Sequence, residues 1–176
     1  MLVQHIKHLL HSWFSFPENK IFCQVSTVNN NHPRIRTMDL YDFTDDGALI
    51  FLTNTHSNKW RELEQVSNIA VCLLSLESGQ IIIEGSASLH TSANNRPLAT
   101  YYWDNYLDQY WRDFYLSCAL KSSSPQNEIP PSFGIIKIYP HTWEILEINT
   151  EDFLKGSRKK FQLQENAWVM TELPLE

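Results

Sequence analysis

The spacing of apolar residues changes period three times along the chain. Leu2, Ile6, Leu9, Leu10 and Trp13 recur at helical intervals and Pro17 ends the run, which predicts an amphipathic helix over 1–16 laid on the domain. From residue 21 the pattern alternates. Residues 21–28 read as a strand, with Phe22, Gln24, Ser26 and Val28 on one side. The turn cluster Asn29-Asn30-Asn31-His32-Pro33 leads to a second strand over 34–43. Thr44-Asp45-Asp46-Gly47 reads as a hairpin turn in which Gly47 supplies positive φ. Residues 48–53 are apolar enough to be buried on both faces, and Ser57 is a natural cap for a short helix. Strands over 69–76 and 80–90 meet at Ser78-Gly79.

Between 92 and 120 the period becomes helical again and strongly aromatic. Tyr101, Tyr102, Trp103, Tyr106, Tyr110, Trp111, Phe114 and Tyr115 predict one or two helices inserted against the strands or at a contact between copies. The Ser- and Pro-rich stretch 121–132 reads as a mobile loop. Strands resume over 133–139, 143–148, around Phe161 and over 167–173. No repeat and no separable second unit is visible, so 1–176 is expected to form one domain. Closely spaced strands with tight turns predict a mainly β fold, an antiparallel barrel or sandwich with flanking helices.

Composition narrows the function classes. Five glycines, with no G-x-G-x-x-G or G-x-x-x-x-G-K, speak against a Rossmann or P-loop scaffold. A net charge of -6 argues against a nucleic-acid surface, and no apolar run approaches the ~20 residues of a membrane helix. Cys23, Cys72 and Cys118 form no C-x-x-C pair and read as buried, reduced thiols. The first residues carry no signal-peptide pattern, so a soluble cytoplasmic protein is expected. His5, His8 and His11 drift too far around their helix to share a metal, and they read as a solvated face.

The most informative stretch is Leu52-Thr53-Asn54-Thr55-His56-Ser57-Asn58-Lys59. A buried strand ends in a polar turn that opens a helix. Free backbone N–H groups, the Ser57 hydroxyl and the Lys59 ammonium then converge, which suits a phosphate. Arg36 on the preceding hairpin can clamp the same anion. The competing reading is an ordinary capped helix with surface cations.

Four motifs in order carry a resemblance. Arg36-Thr37-Met38-Asp39-Leu40-Tyr41, Leu49-Ile50-Phe51-Leu52-Thr53-Asn54, Ser57-Asn58-Lys59 and Gln80-Ile81-Ile82-Ile83-Glu84-Gly85 are similar to the strand and turn motifs of the pyridoxamine 5'-phosphate oxidase-like flavoproteins. That resemblance implies a split β-barrel that dimerises and holds FMN at the dimer interface. It assigns Arg36, Ser57, Asn58 and Lys59 to the FMN phosphate. Thr37, Met38, Asp39, Leu52 and Thr53 would line the ribityl chain and ring, Gln80 would meet the flavin edge, and Lys160 would add a cation. It implies a flavin-dependent oxidoreductase acting on a small-molecule substrate, with no catalytic residue named because the flavin carries the redox chemistry.

The chain departs from the family pattern in several places. Tyr41 stands where a second basic residue often ends the Arg36 strand, Gly79 where Arg commonly precedes Gln80, and Asn58 where a basic residue often precedes the lysine. The R-L-H-D-R stretch by which the authentic oxidases meet their substrate corresponds to Gly156-Ser157-Arg158-Lys159-Lys160. FMN binding therefore carries over better than the vitamin B6 reaction. A non-catalytic flavin- or haem-binding protein and a cofactor-free interaction domain are the alternatives on the same barrel.

Overall fold

The alternating segments form one antiparallel sheet of nine strands, as seen in a computed structural model that describes residues 1–119 and 128–175. Helix α1 (Leu2–Phe14) precedes strands β1 (Ile21–Asn29), β2 (His32–Leu40), β3 (Asp42–Phe43) and β4 (Leu49–Asn54). Then come α2 (Asn58–Gln65), β5 (Asn68–Ser75), β6 (Gly79–His90), α3 (Arg96–Tyr106) and α4 (Gln109–Ala119). β7 (Phe133–Glu147), a 3-10 turn at Phe153–Lys155, β8 (Ser157–Gln164) and β9 (Ala167–Glu172) follow. The strand order is β2-β1-β5-β6-β7-β4-β3, with β8 and β9 added beside β7. The sheet curls until its two sides meet, and the Tyr41 N–H donates to the Ile50 carbonyl at 2.9 Å. The mainly β split barrel expected from the sequence is thus the observed architecture.

Strand alternation sends one set of side chains inward. Cys23, Val25, Met38, Phe51, Val71, Leu73, Ile81, Ile83 and Ile145 share one interior cluster. α1 adds Leu2, Ile6, Leu9 and Leu10 to it, and α2 adds Trp60 and Leu63. The Ser15 backbone, at φ 53°, turns the chain out of α1 ahead of Pro17. Cys23 is buried as expected, with its thiol pushed up to about 12, chiefly by burial. Cys72 and Cys118 are only half-buried, a correction to the sequence reading.

β4 has two cores to satisfy. Leu49 and Phe51 face the barrel interior, while Ile50 and Leu52 face a second cluster built with α3 and α4. That explains its unbroken apolar run. In the second cluster Tyr102 and Tyr115 are buried, and the Trp103 and Tyr115 rings meet Phe133 edge-on at 5.2 and 5.1 Å. The Tyr102 hydroxyl donates to Asp42 at 2.8 Å. Tyr102, Trp103, Tyr106, Trp111 and Tyr115 of the aromatic stripe therefore pack against the outside of the barrel, while Tyr101, Tyr110 and Phe114 are exposed.

Two strand boundaries also needed correction. The segments 133–139 and 143–148 are one strand, β7. Its first half pairs with β4 and its second with β8, while β6 runs along its other side. Pro140 does not break it because the register shifts there, Glu84 lying opposite Thr142 and Gly85 opposite Pro140. A proline is tolerated at such a bulge. The strand expected over 34–43 is interrupted at Tyr41, which turns its N–H across to β4. Of the loop expected over 121–132, residues 120–127 lie outside the described residues; Pro130 and Ser132 are buried, and Ser132 donates to the Tyr115 carbonyl at 2.6 Å. No helix among the described residues is long and apolar enough to cross a membrane.

Gly79 opens β6 at φ +135°, and a Cβ there would stand 1.9 Å from the Leu146 carbonyl oxygen. Both the backbone conformation and the space demand glycine. Gly79→Ala is expected to lower stability by at least ~2 kcal/mol, since β6 or β7 must move to admit the methyl group. Urea denaturation of the purified variant measures this, and an unchanged midpoint would show that the strand start relaxes freely.

Candidate functional site

Helix α2 is placed by packing at its first turn. The Trp60 ring lies where a Gly134 Cβ would stand, at 2.4 Å, so glycine in β7 lets the helix seat directly on the sheet. The preceding turn is tied down as well. The Thr55 N–H donates to the Ser132 carbonyl at 2.9 Å and the Thr55 hydroxyl to that of Pro131 at 2.9 Å. Ser57 caps the helix as its sequence position predicts, accepting from the Trp60 N–H at 3.4 Å. Asn58 is exposed and its carbonyl oxygen accepts from Arg61 at 3.1 Å.

Arg36 shares the inward parity of Met38 and Leu40 on β2, so its guanidinium reaches under α2. There it donates to Thr27 at 2.5 Å and to Glu62 at 2.7 Å. Lys59 lies one helical turn before Glu62. Its ammonium is half-buried and makes no hydrogen bond or ion pair with any described residue. Burial first, and then the positive charge of Arg36, hold it below the usual lysine range, while Glu62 pulls the other way. Glu62 is thus ion-paired with Arg36 and only felt at a distance by Lys59, so two neighbouring cations have one carboxylate between them in contact with Arg36 alone, beside a helix start whose first N–H groups lack intrahelical acceptors. An added anion would complete this charge set, so the residues present fit a phosphate.

Structure divides the sequence-predicted residues into two groups. Ser57 and Lys59 lie at the start of α2, with Asn58 exposed beside them, and Arg36 reaches the helix further along, at Glu62; Thr53, near the end of β4, is buried. Met38 points into the barrel interior and Leu52 under α3 and α4, so neither side chain is free to line a ligand. Their available contribution is backbone. Thr37 and Asp39 alternate with buried Met38 and Leu40, and therefore face outward. Gln80 faces outward from β6 between buried Gly79 and Ile81. Lys160 alternates with Phe161, which packs on the barrel interior, and it lies opposite Glu144. The second group thus occupies the outer face of the sheet.

Three features of the region were not read from the sequence. Glu62 and Thr27 had no motif to mark them. Lys20, just before β1, pairs with Asp39 at 3.6 Å and lies 5.8 Å from the Tyr41 ring centre. A cation thus stands against Tyr41 although the strand itself supplies none. Tyr41 is pushed up to about 12 by burial first and then by Asp39 and Asp108, so its hydroxyl stays neutral. Arg158 is engaged by Glu144, with Nε and Nη2 both 2.8 Å from Oε1, and donates to the Pro174 carbonyl at 3.3 Å. Gly156 is dictated by backbone crowding, since a Cβ would stand 2.6 Å from the Glu147 carbonyl.

Comparison with known proteins gives this arrangement a context. Residues 10–147 match the sequence model of the family described as pyridoxamine 5'-phosphate oxidase. A pyridoxamine 5'-phosphate oxidase-related, FMN binding protein from Nostoc punctiforme shares the fold with a TM-score of 0.77 at 21% identity, over 97% of this chain and 95% of that chain. PhzG from Burkholderia lata 383, solved with tetrahydrophenazine-1-carboxylic acid, shares it with a TM-score of 0.67 at 20% identity, over 98% of this chain and 91% of that chain. No curated protein matches the sequence.

Proposed function

The chain belongs to the pyridoxamine 5'-phosphate oxidase family, and on that premise we propose that it is an FMN-binding, flavin-dependent oxidoreductase. Its substrate is a small organic molecule and its working form a homodimer. The observation that carries this reading is a half-buried Lys59 that makes no hydrogen bond or ion pair with any described residue, within electrostatic reach of Arg36 and at a helix start capped by Ser57. A phosphate monoester suits that set, because it brings two negative charges and several acceptors to two cations and free N–H donors. FMN would supply the redox chemistry. The chain's own residues would bind and orient it: Arg36, Ser57 and Lys59 at the phosphate, with Thr37, Asp39, Gln80 and Lys160 on the adjoining sheet face.

The dimer reading rests on that same face. Phe22 and Leu74 point outward from β1 and β5 with 63% and 55% of their surface exposed, flanked by half-buried Ile82 and Leu146. A contiguous apolar face rimmed by polar residues suits an isologous contact. A second copy seated there would cover the outward-facing group of predicted residues. Among substrates, pyridoxamine phosphate is disfavoured. Gly156 offers no side chain, and the Arg158 guanidinium is committed to Glu144 and the C-terminal backbone.

Chromatography of the cofactor released from the purified protein is expected to give FMN; stoichiometric FAD or haem would overturn the reading. Lys59→Ala is expected to weaken FMN binding roughly 10–150-fold, the worth of a charge-assisted contact of ~1.5–3 kcal/mol, while riboflavin binding stays nearly constant. Fluorescence titration of both ligands reads the difference, with circular dichroism as the control for folding. Light scattering of the FMN-loaded protein is expected to give twice the chain mass, and a monomer retaining FMN would remove the interface model. Assayed with saturating FMN in air, the protein is expected to form pyridoxal 5'-phosphate far more slowly than an authentic oxidase, because a positioned substrate contact is missing.

A further inference from the structure

Arg36, Thr27 and Glu62 close a ring of three hydrogen bonds contributed by β2, β1 and α2. Arg36 Nη1 donates to Thr27 Oγ1 at 2.5 Å, Arg36 Nη2 to Glu62 Oε2 at 2.7 Å, and Thr27 Oγ1 to the same carboxylate oxygen at 2.5 Å. Thr27 is 1% exposed and the Glu62 side chain 6%. A carboxylate this deeply buried is retained only with strong partners. The ring fixes both Nη groups of an otherwise flexible guanidinium. Lys59 precedes Glu62 by three residues, so both side chains project from one face of α2.

We propose that Glu62 is a positioning residue of the anion site: together with Thr27 it holds the Arg36 guanidinium in one orientation under α2, on the helix face that also carries Lys59. The proposal rests on the phosphate-site reading given above. Its first consequence is pre-organisation, because a guanidinium already held loses less freedom when an anion arrives. Its second is electrostatic. Lys59 faces Arg36 across from β2 and Glu62 on its own helix, and Glu62 faces Arg34 and Arg36. Burial first and then Arg36 lower the Lys59 pKa, and Glu62 is the group that opposes them. The carboxylate itself stays ionised at neutral pH, held below its usual range by Thr27 and by the arginines despite its burial.

Glu62→Gln tests this, since the amide keeps the shape and removes the charge. FMN binding to the full chain is followed by fluorescence from neutral to alkaline pH, with riboflavin as the probe lacking a phosphate. The Lys59 side-chain NMR signal is titrated in parallel without ligand. Glu62→Gln is expected to weaken FMN binding roughly tenfold at neutral pH. It is also expected to move both the alkaline loss of binding and the Lys59 midpoint to lower pH. Adding Lys59→Arg should abolish that alkaline limb, because guanidinium does not deprotonate there. A merely structural role would weaken binding equally at every pH and leave the Lys59 midpoint in place, which overturns the proposal. Wild-type affinity and pH profile in Glu62→Gln overturn it too. Should the wild type bind FMN no better than riboflavin, the phosphate reading fails. The ligand-free Lys59 titration then still decides whether Glu62 sets that charge. If Glu62→Gln does not fold, Thr27→Val serves instead: it breaks the ring but keeps the carboxylate, so FMN affinity should fall with the Lys59 midpoint nearly unmoved. Unchanged affinity there would reject the orienting role.

Discussion

Burial of β4 on both faces is the constraint around which the rest of the molecule is arranged. One face completes the barrel interior through Leu49 and Phe51, and the other supports the aromatic helices through Ile50 and Leu52. A strand buried twice cannot slip by one residue without exchanging its two cores, so its register against β7 is fixed from Leu49↔Ile138 to Asn54↔Phe133. The chain leaves this strand directly into the turn that carries Ser57 and Lys59. Position at the candidate site is thus inherited from packing, and the Trp60 ring on Gly134 passes it into the helix.

Legibility in the sequence followed the range of the interactions. Local ones were readable. The Gly47 hairpin, the Ser57 cap, the amphipathic α1 and the doubly apolar β4 each leave a signal within a few residues. The continuity of β7 was not readable. Its halves serve different partners on one side, and only the register with β6 shows that Pro140 sits at a bulge rather than at a strand end. Glu62 was hidden for a similar reason. On an exposed helix a lysine and a glutamate three residues apart are an ordinary solvated pair. Only the sheet beneath α2 turns this glutamate into a buried partner of Arg36, 26 residues away in sequence. The partner of Arg158 was likewise unreadable, since only the pairing of β8 with β7 sets Glu144 beside it.

Two departures from the family pattern have local backbone causes. Gly79 and Gly156 each lie against a carbonyl of β7, at Leu146 and Glu147, where any side chain would collide. Residues 79 and 147 are paired in the β6–β7 ladder, and Ser157, which follows Gly156, pairs with Glu147 on the other side. Both glycines therefore flank the same end of one strand. An arginine placed at either position would have to displace that strand before offering its charge to a ligand. The loss of cations there reads as a consequence of tight backbone approach rather than as two independent changes.

The charge distribution explains why the candidate site needs an internal carboxylate at all. The chain carries a net charge of -6, so its overall field does not draw an anion in. Attraction must come from a few groups within roughly a Debye length of ~8 Å, partly shielded from solvent. Shielding strengthens those charges but also makes it costly to keep a guanidinium and an ammonium together, and the lysine pKa falls in response. A buried anion beside them settles that conflict. Glu62 cancels part of the attraction for a phosphate, and in exchange it holds the guanidinium in one orientation and counters the fall in the neighbouring lysine's pKa. Where selectivity depends on a few fixed donors rather than on bulk field, that exchange favours orientation over raw charge.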